Sequence, residues 1–585
     1  VNPPRRPVRI ANCSGFYGDR LSAAREMVDG GPIDVLSGDW LAELTMLILA
    51  KNQLRDPSTG FARTFVTQME QVMGDCLQRG IRVVSNAGGL APAACAAAVG
   101  AVADKLGLAP VIAVVEGDDL VGRLAELRAA GVDLAHMETG EPLGEREVLT
   151  ANAYLGGWGI ADALGRGADI VITGRVTDAA VAAGPAAWWH GWATDDWDAL
   201  AGAVVAGHVI ECGPQATGGN YAFFTEIADL ARPGFPIAEI AADGSSVITK
   251  HPGHGGAVTT GTVTAQLLYE IGPAEYANPD VTARFDSIRL SQEGPDRVRI
   301  SGVQGDSPPT TSKVAINYRG GWKTTTTMLL AGLDIEAKAD LVRSGLAPTI
   351  DSIRADGGSV DVDLVRSDHV DPTSNETAMA QLRLTVRGPD ERLTGRRWSA
   401  AVTELALSSY PGLCTGPTAG GSYGVYWPAL VPASLLHHDV VVNGEHHVID
   451  ALVTPDPPVV ASVAPTAIPD GPLGPKRREP LGRLFGARSG DKGGNANLGV
   501  WARRDDAFGW LAHELTVARL TELLPETSGR RIQRTVLANL RAINFVVFGL
   551  LGEGVASSSR LDPQAKSLGE YLRARIVEIP VALLD

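Results

Sequence analysis

The sequence predicts an α/β protein: a large core with a mostly parallel sheet and flanking helices, plus a small C-terminal α+β domain. Three observations predict it. From Val8 to Asn220, short apolar runs alternate with helix-forming stretches. Most of those runs break into a polar, glycine-bearing segment, as strands of parallel sheets do at their carboxyl ends. Finally, a proline-dense stretch without periodicity, 454–480, sets off the last residues, 481–585, as a compact unit. The core then spans 1–453, with a subdomain or elaboration over 313–453.

The first expected strand is Val8 to Asn12, ending in Cys13-Ser14-Gly15, with Asp19 placed to cap the helix that follows. Ile33 to Leu36 is the second, ending in Ser37-Gly38-Asp39 ahead of a helix through Leu41, Leu44, Leu47 and Ile48. A helix over Phe61 to Leu77 precedes a third strand at Ile81 to Val84, which ends in Ser85-Asn86-Ala87-Gly88-Gly89. Val111 to Val115 is the fourth, ending in Glu116-Gly117-Asp118-Asp119, and Val132 to Ala135 is a shorter candidate. Ile170 to Ile172 runs into Thr173-Gly174-Arg175-Val176-Thr177-Asp178. Beyond Asn220 short β-rich pieces appear at Ser246 to Thr249, Val258 to Val263 and Arg297 to Val303, with helices near Ile335 to Ser344 and Trp398 to Ser409. The C-terminal unit opens on two strands joined by Ser489-Gly490-Asp491-Lys492-Gly493-Gly494. A helix near Phe508 to Leu524, a strand near Ile543 to Phe548 and a last helix near Pro563 to Arg575 follow. Alternating βα units suit an open sheet or a barrel equally well. In both, the carboxyl ends of parallel strands lie on one edge, so loops distant in sequence converge on a shared crevice.

Those loops supply the candidate residues. Arg175 offers a fixed fork of donors to a carboxylate or phosphate, with Thr177 and Asp178 beside it; the competing arrangement pairs Arg175 with Asp178 or Asp119. Gly88-Gly89 and Gly218-Gly219, flanked by Asn86 and Asn220, permit close backbone approach to a phosphate or pantetheine arm. Neither is a Walker loop or a GxGxxG turn, so ATP and nicotinamide cofactors are unsupported. Asp118 and Asp119 are adjacent carboxylates able to bind Mg²⁺ or share a proton, or simply to cap the helix expected at Leu120. On a helix, His208 shares a face with Glu211 and with Cys212. The first pairing suits a base, and the second suits a nucleophile forming an acyl-enzyme. Lys250, His251 and His254 stand in a glycine-rich loop where Lys neutralises an anion and His acts as base. Arg488, Asp491 and Lys492 surround a tight turn that pairs locally, caps the core's crevice or makes a subunit contact.

The balance of 51 basic against 67 acidic residues, a formal charge of −16, does not invite nucleic acid or an anionic membrane, both of which want clustered Lys and Arg. Five scattered cysteines without a CxxC pair point to a reducing compartment and no structural zinc. No apolar run reaches the length of a membrane helix and no signal-peptide core follows Val1, so a soluble, cytoplasmic protein is expected.

Taken together, several motifs resemble the acyclic terpene utilisation (AtuA) family. They include Gly15-Phe16-Tyr17-Gly18-Asp19-Arg20, Gly38-Asp39-Trp40-Leu41-Ala42-Glu43-Leu44-Thr45 and Asn86-Ala87-Gly88-Gly89. Gly117-Asp118-Asp119-Leu120, Ala151-Asn152-Ala153-Tyr154-Leu155-Gly156, Glu211-Cys212-Gly213 and Thr217-Gly218-Gly219-Asn220 continue the match, as do Lys250-His251, Arg488 to Gly493 and Asn544-Phe545. The resemblance covers nearly the whole chain. It implies a large core followed by a ferredoxin-like domain, and a role in breaking down citronellol- and geraniol-like compounds as acyl-CoA thioesters. It transfers no catalytic residue. The expectation is therefore an enzyme acting on a branched acid carried as a CoA thioester, by carbon–carbon cleavage or by hydration–dehydration of a 3-hydroxyacyl thioester. Arg175 holds a carboxylate, Asp118 or Asp119 binds Mg²⁺ or moves a proton, and His208 with Glu211 is the base. A thioesterase using Cys212 and a non-catalytic assembly subunit of acyl-CoA enzymes are the alternatives, and a homo-oligomer is expected.

Overall fold

The computed structural model describes residues 6–453, 463 and 466–584. Most of the expected linker's first half, 454–462 and 464–465, lies outside the described residues. In chain order the first elements are β1 (Val8–Asn12), α1 (Ala23–Asp29), β2 (Val35–Gly38), α2 (Glu43–Arg55), α3 (Arg63–Arg79), β3 (Arg82–Ser85), α4 (Pro92–Leu106) and β4 (Ile112–Glu116). They are followed by α5 (Leu124–Ala129), β5 (Val148–Ala153), α6 (Trp158–Gly165), β6 (Ile170–Thr173), α7 (Ala180–His190), α8 (Trp197–Ile210), β7 (Pro236–Ile240) and β8 (Ser246–Lys250).

An open eleven-stranded sheet, among the described residues, resolves the choice left between open sheet and barrel. Its central strands run β1-β2-β3-β6-β4, all parallel. Antiparallel strands extend both sides: β7, β8, Arg297–Ser301 and Arg289–Gly294 beyond β1, and His437–Val442 with Glu445–Asp450 beyond β4. The parallel strands are built on buried apolar runs, such as Ile170-Val171-Ile172, because helices cover the sheet. α3, for example, buries Phe65, Met69, Val72, Met73 and Cys76 along one stripe and stops at Gly80, whose φ of +68° supplies the left-handed cap.

The buried helix α8 has no polar face, since every residue from Ala199 to Ile210 is buried. Small residues allow this. A Cβ on Gly202 would strike the backbone of Gly244, and one on Gly207 would come within 2.7 Å of the Ala179 carbonyl oxygen. The helix therefore lies backbone-close to its neighbours and delivers His208 and Glu211 from its last turn.

Some local expectations change. Val132 to Ala135 forms no strand, and β5 appears instead at Val148–Ala153. Val258 to Val263 contributes to a helix, Thr260–Leu267, because Thr259 and Thr262 form a reciprocal capping box that outweighs β-branched propensity. Asp19 does not cap α1. Its carboxylate accepts from the Gly15 and Arg20 amides instead, at 3.0 and 2.9 Å. The helix expected at Leu120 is a single 3₁₀ turn, Val121–Arg123, leading into α5.

The described chain forms two compact units. Of the described residues, those within 6–316, 427–551 and 564–584 make up the first, and 317–426 with 552–563 make up the second. In the second, helix Ile335–Ala355 packs Ala339, Val342, Leu346 and Ile353 against Met328, Leu382 and Leu384 of an antiparallel sheet. The sheet of the C-terminal domain lies in the first unit; it is four-stranded and antiparallel, ordered Phe485–Lys492, Asn495–Ala502, Ala542–Val547, Ile532–Leu537. Phe485, Leu498, Phe508, Leu511, Phe545 and Leu572 lead its core.

Candidate functional site

Polar side chains at the carboxyl edge of the parallel strands knit the loops to one another. From β1, Asn12 donates to the Glu211 carbonyl at 3.2 Å and accepts from the Ser14 amide at 3.0 Å. Beyond β2, the Asp39 carboxylate accepts from the Leu41 amide at 2.9 Å and from the Asn86 carboxamide. Asn86 in turn accepts from the Trp40 amide at 2.8 Å. Beyond β4, one oxygen of Asp118 accepts from the Arg175 amide and from Asn152 Nδ2, both at 2.8 Å. A Cβ on Gly174 would collide with that carboxylate, so glycine is needed where β6 ends.

Arg175 is committed internally. Its guanidinium donates to the Leu41 carbonyl at 3.1 Å, lies 2.8 Å from Asp178 Oδ1 and stacks 4.3 Å from the centre of the Tyr154 ring. The free anion clamp expected of Arg175 is thus replaced by the pairing with Asp178. The same holds for the glycine pairs. Gly88 lets the β3 loop pass the Thr173 carbonyl and Pro92, and Gly218, at φ +108°, folds against Ile227 and Leu230. Gly219 packs on the Pro214 carbonyl, Gly89 takes φ +55° and Asn220 is an exposed turn residue at φ +58°. Close approach here is chain on chain. Thr177 donates its amide to the Leu155 carbonyl at 2.8 Å.

Asp118 and Asp119 do not act as a pair. Asp118 is buried with the partners above, whereas Asp119 is exposed and accepts from the Val121 amide at 2.9 Å. Among the described residues no group of three or more His, Cys, Asp and Glu could hold a metal ion. Lys250 and His251 are likewise turned to internal partners. Lys250 Nζ donates to the His254 carbonyl at 2.7 Å and sits 3.0 Å from Asp296, while the His251 ring packs on Gly30 and Gly31 with Nε2 at 2.9 Å from the Met27 carbonyl.

Burial pushes the Asp118 carboxyl up to about 7, against the hydrogen bonds from Arg175 and Asn152 that favour its ionised form. The native state therefore prefers the neutral acid. Stability tied to Asp118 is full below the unfolded value and is lost as pH climbs from about 4 to about 7. Asp118→Asn keeps both acceptor contacts through its single oxygen and has no charge to bury. It should match wild type near pH 4 and gain on it up to pH 7, by at most about 4 kcal/mol. Thermal unfolding across that range checks this; a constant gap would rule it out.

Deeper in the same edge lies an ionisable cluster. His208 Nδ1 is 3.2 Å from Glu211 Oε1, and the imidazole is walled by Tyr276 and Phe285, with ring centres 5.1 and 5.7 Å away. Burial lowers His208 to about 4, so the ring is neutral at physiological pH. Burial, reinforced by the charges of Asp178 and Glu270, holds Glu211 well above the usual carboxylate range. Glu211 Oε2 is buried and bonded to nothing among the described residues. Burial also lifts the Cys212 thiol well above its ordinary value, with Glu211 and Glu270 adding to it. A protonated thiol in that company is a poor nucleophile.

Residues less evident in the sequence complete the cluster. Glu43, at the first turn of α2, lies 3.4 Å from Lys313 and accepts from the Tyr154 hydroxyl at 3.2 Å. Burial opposes its charge, but Lys313 and Arg175 outweigh burial and bring Glu43 down to about 2. The ferredoxin-like domain adds Asp491, raised by burial and by Glu270 to about 7, and Lys492, whose Nζ donates to the Glu270 carbonyl at 2.7 Å. Burial and Lys313 lower the Lys492 ammonium. Arg488 of the same turn bonds Gln215 and covers the Tyr269 ring at 4.2 Å. The turn thus caps the edge of the core. Glu43 and Asp178 keep side-chain exposures of 28% and 26%, so one side of the cluster reaches the surface. Its signal in the sequence was thin: Glu43 and Tyr154 sit within quoted motifs without an assigned role, and Lys313 and Glu270 sit in none.

A family model described as "Acyclic terpene utilisation family protein AtuA" matches residues 8–442, and one described as "AtuA ferredoxin-like domain" matches residues 480–578. The chain belongs to the AtuA family. The ferredoxin-like domain of this AtuA protein is the part that brings Arg488, Asp491 and Lys492 to the core. No curated protein matches the chain significantly. No helix among the described residues of this AtuA protein is long and apolar enough to cross a membrane.

Proposed function

We propose that this AtuA protein serves acyclic terpene utilisation as a lyase acting on a branched 3-hydroxyacyl thioester, breaking a carbon–carbon bond or adding and removing water. Both reactions need an acid and a base on opposite sides of one substrate, in a site that separates the proton affinities of its carboxyl groups. The observation that carries the reading is Glu211: a carboxyl held protonated by burial, with one oxygen unbonded, among Asp178, Glu270 and Lys492. It is suited to give a proton to C2 of an enolate or to a departing 3-hydroxyl. Neutral His208 orients it, and ionised Glu43 with Lys313 and Arg175 provides fixed charge nearby. Cys212, with its thiol protonated, does not favour the thioesterase reading.

The test is incubation of the full chain with a panel of linear and branched 3-hydroxyacyl-CoA thioesters, read by mass spectrometry with and without added Mg²⁺. Dehydrated or chain-shortened thioester is the expected product. Free CoA alone would point to hydrolysis, and an unchanged panel would support a non-catalytic subunit; either result rejects the lyase.

A further inference from the structure

We infer that Glu270, strained into a left-handed backbone conformation and clamped there by the ferredoxin-like domain, is the base of the site and takes from the substrate the proton that opposes the one Glu211 delivers. The inference rests on the reading of the site as a lyase and adds its second proton-transfer residue.

Glu270 has φ +58°, a conformation that glycine and asparagine take readily and glutamate rarely does. The cost is sustained by contacts from one source. The Glu270 amide donates to Asn497 Oδ1 at 2.8 Å, and its carbonyl accepts from Lys492 Nζ at 2.7 Å. The next carbonyl, of Ile271, accepts from both Asn497 and Asn544 at 3.2 Å, and that of Gly272 accepts from Asn544 at 2.7 Å. The two carboxamides also bond each other at 2.6 Å, which fixes their orientation. Backbone clamping of this density needs no particular side chain at 270, and glycine would satisfy it without strain. Over-determined strain of this kind gathers where a side chain must be aimed.

What is aimed is a carboxyl group. Tyr269 lies under the Arg488 guanidinium, its hydroxyl meets Lys566 Nζ, and the Glu270 carboxylate bonds that same hydroxyl. A Cβ on Gly490 would collide with the Tyr269 ring, so the domain's strand also closes on this residue. Asp178 and Glu43 face Glu270 as like charges, with the carboxyl groups of Glu211 and Asp491 beside them, against Lys566 and Lys492. Burial, with the charges of Glu43 and Asp178, raises Glu270 against the opposing pull of Lys566 and the Tyr269 hydroxyl, which makes it a stronger base than a free glutamate.

In the cleavage, Glu270 takes the 3-hydroxyl proton and the C3–O bond becomes a carbonyl as the C2–C3 bond breaks. The electron pair passes to the thioester enolate, and Glu211 protonates C2. Glu270 ends neutral and Glu211 ionised, and transfer of that proton between them restores the site.

Two variants test this in the full chain. Glu270→Gln keeps length and backbone contacts; kcat on the thioester turned over by wild type should fall by about 10²–10⁴-fold with KM little changed. Glu270→Gly relieves the strain, so it should lose activity equally while melting no lower than Glu270→Gln. Asn497→Ala, a positioning change, should shift the acid limb of the kcat profile and lower kcat less. Retention of kcat and of the acid limb in Glu270→Gln would overturn the inference. If wild type turns over no thioester, the lyase reading fails by itself. The infrared carboxylic-acid band missing from Glu270→Gln then decides the remainder: titration above that of a free glutamate supports Glu270 as a proton-exchanging group, and titration like a free glutamate rejects it.

Discussion

Glu211→Gln is expected to reduce turnover by about 10²–10⁴-fold while leaving the fold intact. Glutamine has the same shape, keeps a donor for the neighbourhood of His208 and cannot release a proton. Glu211 is buried, 3.2 Å from His208, with its proton retained well above the usual carboxylate range. With Glu211 as the proposed proton donor, the substitution removes the source of the proton and leaves binding largely unchanged, so kcat should fall and KM hold. The sign for stability follows separately. A carboxyl raised in the folded state subtracts stability as pH rises from the unfolded value through the folded one. The variant has nothing to ionise, so it should melt at or above the wild-type temperature on the alkaline side. Activity within a few-fold of wild type would remove Glu211 from the chemistry.

Trp40→Ala is expected to cost about 3–5 kcal/mol, the range for deleting a large aromatic from a packed core. Trp40 is 1% exposed, meets Phe65 edge-on at 5.3 Å and donates from its indole to Thr64 Oγ1 at 3.1 Å. Gly38 lies flat against the ring, which leaves little backbone able to collapse into the cavity. The loss should also reach the site. The Trp40 amide holds Asn86, and the next residue's carbonyl holds Arg175. The denaturation midpoint measures the first effect and turnover the second; a loss below about 1 kcal/mol would show that the loop refills the space.

How far these features were legible in the sequence follows from where each partner lies. The parallel strands were readable because Val8–Asn12, Val35–Gly38, Arg82–Ser85, Ile112–Glu116 and Ile170–Thr173 are short apolar runs with polar, glycine-bearing ends. His208 and Glu211 were readable because helical spacing alone places them together. Lys250 looked like a site residue because its ion partner, Asp296, is 46 positions later in the chain and carries no local cue. Asp118 and Asp119 looked like a pair because adjacency in sequence says nothing of direction, and one faces in while the other faces water. Glu270 was invisible for a stronger reason. Its left-handed backbone is imposed by Asn497, Lys492 and Asn544, more than 200 residues away, against its own preference.

The clamp on Glu270 has a kinetic consequence. Its amide hydrogen is held by a side chain of the ferredoxin-like domain and by no helix or strand of its own. Exchange of that one hydrogen with deuterated water therefore requires the carboxamide of Asn497 to withdraw, and neighbouring amides within the eleven-stranded sheet need not open with it. A single labelled position thus acts as a clock for separation of the ferredoxin-like domain from the core, ticking once for each opening long enough to admit solvent.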